Sequence, residues 1–105
     1  MGLFGKLAFW NVWLNPATKA SRVIREENKF MDQLKLLLER ELEQEEELRR
    51  AFDVVKNEGD LNKRAMKYLA FRNDLNKFEE LEETIVAIDE KLTKIMNARL
   101  KNMDV

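Results

Sequence analysis

The sequence has no cysteine and no histidine. Disulfides, thiolate nucleophiles, zinc sites of the usual kind and Ser-His-Asp relays are therefore excluded. One proline and three glycines serve 105 residues, of which 37% are charged and 45% apolar. Turns and strands need more breakers than that, so the composition points to one all-α domain. No apolar run is long enough to span a bilayer: Leu3 to Leu14 makes a helix of roughly 18 Å, against the ~30 Å required. The start has no basic n-region and no small-residue cleavage site, and Lys6 stands where myristoylation wants Ser or Thr. The expectation is a cytoplasmic protein that keeps its own N-terminus. Early acidic residues are missing as well, for the first is Glu26.

What fills that acid-free stretch is apolar, aromatic and cationic. Leu3, Leu7, Trp10 and Leu14 recur at helical spacing, and Phe4, Val12 and Trp13 widen the face. Both tryptophans and four of the nine aromatic residues lie here. Lys6, Lys19, Arg22 and Arg25 are the only charges ahead of Glu26. Tryptophan favours the membrane interface, and Lys and Arg are drawn to anionic head groups by roughly 1 kcal/mol each. Leu3, Phe4, Leu7, Trp10, Trp13 and Leu14, with Lys6, Lys19 and Arg22, are therefore expected to bind an anionic membrane surface as an amphipathic helix over 1–14. A helix packed on the core of the body asks for the same side chains.

Asn15-Pro16 forms a hinge: the residue before a proline leaves helical geometry, while Asn15 suits an N-cap and Pro16 a first helical position. Beyond it, over 15–105, the spacing predicts a long antiparallel coiled-coil hairpin with helices at about 16–57 and 60–102. The first seam is Ile24, Met31, Leu34, Leu38, Leu48, Phe52 and Val55. The second runs from Leu61 through Ala65, Tyr68, Phe71, Leu75, Phe78, Leu81, Ile85, Ile88 and Leu92 to Ile95. Consecutive threes at Leu75, Phe78 and Leu81 resemble a stammer in a continuous helix. Gly59 suits a left-handed closing residue and Asp60 the next N-cap, which places the tip there.

Folding about Gly59 sets Glu45, in a seam position of the glutamate run 39–47, opposite Arg72. Such a pair would fix register more than stability. A lone hairpin leaves Phe30, Leu37 and Leu42 on one helix and Val86, Met96 and Leu100 on the other uncovered, so these are expected to bury against copies of the same chain. The glutamate run reads as a solvated face rather than a metal site, because one straight helix splays its carboxylates. The lysines and arginines at 63–77 are interleaved with acids and lack an aromatic platform, which argues against nucleic acid.

The start Met1-Gly2-Leu3-Phe4, the amphipathic segment, the coiled-coil hairpin and the tip Asp60-Leu61-Asn62-Lys63-Arg64-Ala65, followed by Leu69, Phe71-Arg72 and Leu75, resemble the phage-shock protein A family. That family includes a vesicle-inducing plastid relative and belongs to the wider ESCRT-III superfamily. The resemblance implies a membrane-engaging N-terminal helix and hairpins that stack into larger assemblies. Family members are about twice this length. A second stretch, Leu81 to Leu92 with Arg99, is similar to the first helix of the all-helical chorismate mutases, but Glu82 stands where those enzymes carry an arginine. The reading is a non-enzymatic, peripheral membrane-associated, self-assembling protein, with itself and anionic lipid as partners. It has no catalytic residue, metal, cofactor, nucleic acid or small-molecule substrate. The alternative is a soluble scaffold, such as a virion or filament subunit, whose N-terminal helix packs against neighbouring subunits.

Overall fold

The computed structural model describes residues 19–103, and among them the chain is helical with no strand. Helix α1 spans Lys19–Glu41, α2 Glu46–Lys56, α3 Leu61–Leu75 and α4 Glu83–Met103. Each of the two long helices expected at 16–57 and 60–102 is thus interrupted, at 42–45 and at 76–82.

The first interruption falls in the glutamate run. A continuous helix there would stack Glu39 on Glu43, Glu41 on Glu45 and Glu43 on Glu47, each like pair costing a few tenths of a kcal/mol. The break instead places Glu46 and Glu47 in the first turn of α2, where the helix dipole favours acids. Arg49 Nη2 donates to the Glu43 carbonyl at 2.7 Å, satisfying a group that the break leaves open.

At the second interruption the triple spacing Leu75, Phe78, Leu81 marks the end of a helix rather than an overwound stretch. The amides of Asn76, Lys77 and Phe78 fold back onto the carbonyls of Arg72, Asp74 and Leu75 at 2.9, 3.2 and 3.3 Å. Glu82 then opens α4, its carboxylate accepting from the Thr84 amide and hydroxyl, both at 3.0 Å.

Between α2 and α3 the amides of Asn57 and Glu58 bond the carbonyls of Asp53 and Val55 at 2.9 and 3.1 Å. Asp60 Oδ1 accepts from the amides of Asn62 and Lys63 at 2.9 and 3.1 Å, capping α3. Gly59 is not left-handed, since no described residue has positive φ. The turn closes through these backbone and Asp60 bonds instead.

Each helix packs on the one before and after it, and α4 closes on α1. Lys35 and Asp32 of α1 reach Asp53 and Lys56 of α2 at 2.7 and 3.0 Å. Glu27 and Phe30 of α1 meet Arg99 and Lys91 of α4. The Phe52 and Phe71 rings meet at 5.3 Å between α2 and α3.

The described chain is thus folded at three turns, and this brings residues of both apolar stripes of α1 and α4 into one core. Met31, Leu34, Leu38, Phe52, Tyr68, Leu75, Ile85 and Leu92 are buried, as the seams require. So are Phe30, Leu37 and Met96, which the sequence reading assigned to self-association. Leu42 and Leu100 are partly buried against the same core, and Val86 is exposed. The physical reason is the doubling: α1 and α4 cover each other's second stripe without a second molecule.

The expected register pair is also replaced. Glu45 is exposed at the start of α2, and Arg72 turns to Asp89 of α4. With α1 bent away at residue 42, the acid facing α3 comes from α4.

Candidate functional site

Two buried carboxylates organise the polar interior. Glu27 of α1 is fully buried. Its Oε1 accepts from Arg99 Nη1 at 2.7 Å, and its Oε2 from Arg99 Nη2 at 2.6 Å and Arg64 Nη2 at 2.8 Å. Arg99 Nη1 also donates to the Leu61 carbonyl at 3.2 Å. One acid thus holds α1, α3 and α4 through a bidentate guanidinium and a second arginine. Arg64 Nε is buried without a partner.

Asp89 of α4 is the second. It accepts from the Tyr68 hydroxyl at 2.6 Å, from Arg72 Nε and Nη2 at 3.2 and 3.0 Å, and from the Thr93 hydroxyl at 3.4 Å. Burial raises the Tyr68 pKa far above its ordinary value, and the bond to Asp89 adds to the rise. The hydrogen bond to Asp89 raises the Arg72 pKa. Arg64, Tyr68 and Arg72 lie four residues apart on α3, so one face of that helix serves both acids.

Along the body the charge is sorted by end. The α1 start, the α2–α3 turn and the α4 end come together through Glu27, Arg64, Arg99 and Leu61, and through Lys56 with Asp32. Residues 20–32, 56–67 and 94–102 there hold ten Lys and Arg against five acids. The opposite end carries 39–50 and 74–83, with eleven acids against four Lys and Arg. Arg22, Arg25 and Lys29 line an open cleft of about 400 Å³ with Glu26 and Phe30 at the cationic end.

The sequence-predicted sites distribute unevenly over this frame. Leu3, Phe4, Lys6, Leu7, Trp10, Trp13, Leu14, Asn15 and Pro16 lie outside the described residues. Lys19 begins α1, and Arg22 is exposed one turn later. Gly59 and Asp60 form the turn between α2 and α3 at the cationic end. Glu82 and Arg99, the positions raised by the second resemblance, cap α4 and pair with Glu27 respectively. No helix among the described residues is long and apolar enough to cross a membrane. No cluster among them of three or more acids is arranged to hold a metal ion.

The pairing of Glu27 and Asp89 with arginines was missed by the sequence reading, which named Arg64 and Arg99 only within resemblances, yet each residue carries a signal. Glu27 fills the seam step between Ile24 and Met31, and Asp89 stands beside the seam residue Ile88, four positions after Ile85 and three before Leu92. Arg64 stands beside the seam residue Ala65, three positions after Leu61 and four before Tyr68, and Arg99 follows the seam residue Ile95 by four. A charge in an apolar seam calls for an opposite charge in a facing seam. No protein-family model matches the chain, and neither a curated protein nor a solved structure matches it.

Proposed function

We propose that this protein is a non-enzymatic, peripheral membrane-associated protein: its N-terminal segment lies in an anionic membrane surface, and the helical body stands over it. The observation that carries the reading is the sorting of charge along the body. Residues 1–18, with both tryptophans and Lys6, lead into α1 at the cationic end. Arg22, Arg25 and Lys29 then continue the positive surface onto the body.

A body of this kind orients itself. Its cationic end is drawn to anionic head groups within about a Debye length, and its acidic end is repelled from them. The described helices act as an antiparallel hairpin doubled over on itself, which sets the tip 57–60 beside the membrane-facing end. Glu27 and Asp89 are each saturated by arginine, which supports a structural role over acid–base chemistry.

Vesicle flotation tests the reading. The full chain should float with vesicles containing anionic lipid and stay behind with zwitterionic ones, and high salt should weaken the association. Deleting residues 1–14 should abolish flotation and leave the helical circular dichroism intact. Failure of the full chain to float with anionic vesicles overturns the reading, as does flotation that survives the deletion.

A further inference from the structure

The two interruptions are built from residues that join a helix readily. Residues 42–45 are Leu-Glu-Gln-Glu and residues 76–82 are Asn-Lys-Phe-Glu-Glu-Leu-Glu, without glycine or proline. No residue in either has positive φ. The helical bond from the Leu42 amide to the Leu38 carbonyl persists at 3.0 Å, and the Arg49 amide already bonds the Glu45 carbonyl at 3.1 Å. What opposes a straight helix through 42–45 is the like charge of the glutamate run, and salt screens it.

We propose that a second copy of this chain is a binding partner of the faces that α1 turns to α2 and α3 turns to α4. Two molecules straighten at 42–45 and 76–82 and exchange halves. In the exchanged pair the α1–α4 and α2–α3 contacts stay within each chain, and the α1–α2 and α3–α4 contacts are remade between chains. Lys35 then meets Asp53 of the other copy, and Asp89 meets the other copy's Tyr68 and Arg72.

The buried charges select this occupant. A foreign apolar helix could cover the seam but would leave Asp89 without its arginine and Glu27 without Arg64. A copy of the same chain offers each acid its own partner at the same place. The inference does not depend on membrane binding and holds in lipid-free solution.

Because the chain has no cysteine, introduced thiols report without background. One preparation carries Asp32→Cys and another Lys56→Cys, positions whose side chains pair across α1 and α2. They are co-refolded at equal concentration and treated with a short bismaleimide. Exchange gives a covalent mixed dimer, several-fold more abundant at high salt than at low salt. Glu43→Ala with Glu45→Ala should raise the yield several-fold, and Glu43→Gly with Gln44→Gly should lower it. A single chain carrying both cysteines, at high dilution, should cross-link internally and so confirm the pairing. Internal cross-linking with no mixed dimer at any salt or concentration overturns the proposal. So does a dimer seen by light scattering that yields no mixed cross-link, since the copies then meet through another surface.

Discussion

Glu27 and Glu45 both stand at seam spacing in a stretch that reads as one helix, and their fates differ completely. Around Glu27 the helix continues, and the carboxylate is buried between two arginines from α3 and α4. Around Glu45 the helix breaks, and the carboxylate is exposed at the head of α2. The difference lies in the neighbours. Opposite charge converges on Glu27 from other helices, whereas Glu45 sits among acids of its own segment. A charge in an apolar seam is kept where the fold supplies a counter-charge, and the helix ends where the local sequence supplies mostly more of the same sign.

The comparison is most directly broken at Glu27. Glu27→Leu should leave Arg64 and Arg99 buried without a counter-charge and cost about 3–5 kcal/mol. Urea unfolding would show this as a lower midpoint at unchanged slope. Adding Arg64→Met and Arg99→Met should recover most of the loss, because the uncompensated charges go with them. A loss under about 1 kcal/mol in the single variant would show that the triad is not what holds the three helices together.

The second buried acid sharpens the point through pH. Tyr68→Phe removes one donor to Asp89 and should cost about 1–3 kcal/mol. In the folded chain the Tyr68 pKa is raised, so the native state keeps a proton that the unfolded state releases above about pH 10. Stability is therefore undiminished below that pH and falls as the pH rises beyond it. Lys35, held by Asp53, is shifted in the same direction but is exposed and adds little. The alkaline decline measured by denaturant titration should be shallower in Tyr68→Phe than in the native sequence.

The smallest effect belongs to the exposed acid. Glu45→Gln should change stability by no more than about 0.5 kcal/mol, because repulsion within the glutamate run and attraction to the α2 dipole oppose each other, and the change should shrink in high salt. A large loss would mean that Glu45 has a partner and that the contrast with Glu27 is false.

Much of the core was legible in the periodicity. Leu34, Leu38, Phe52, Leu75, Ile85 and Leu92 stand at seam spacing, and all are buried. The second stripe, with Phe30, Leu37 and Met96, was legible as apolar and was assigned to other copies, whereas these residues are buried among the described helices. Periodicity reports that a face must be covered but not by what. The interruption at 42–45 left a signal in the density of glutamate, and the one at 76–82 left a signal in two successive steps of three, Leu75 to Phe78 to Leu81. Neither contains glycine or proline, so neither resembles an ordinary turn.

By itself the sequence determined an all-helical chain, the two principal apolar seams, and an acid-free, aromatic start followed by a charged body. Those properties follow from residue type and spacing along one chain, which a helix converts directly into faces. Tertiary structure alone decided that the helices double over at 42–45 and 76–82. It also decided that Arg72 answers Asp89, that Glu27 is shared by Arg64 and Arg99, and that the cations collect at one end. These depend on which residues meet across a fold, and Glu27 and Arg99 stand 72 positions apart. Helical spacing relates a residue to its neighbours three and four positions away, so no pattern along the chain links that pair until the helices pack.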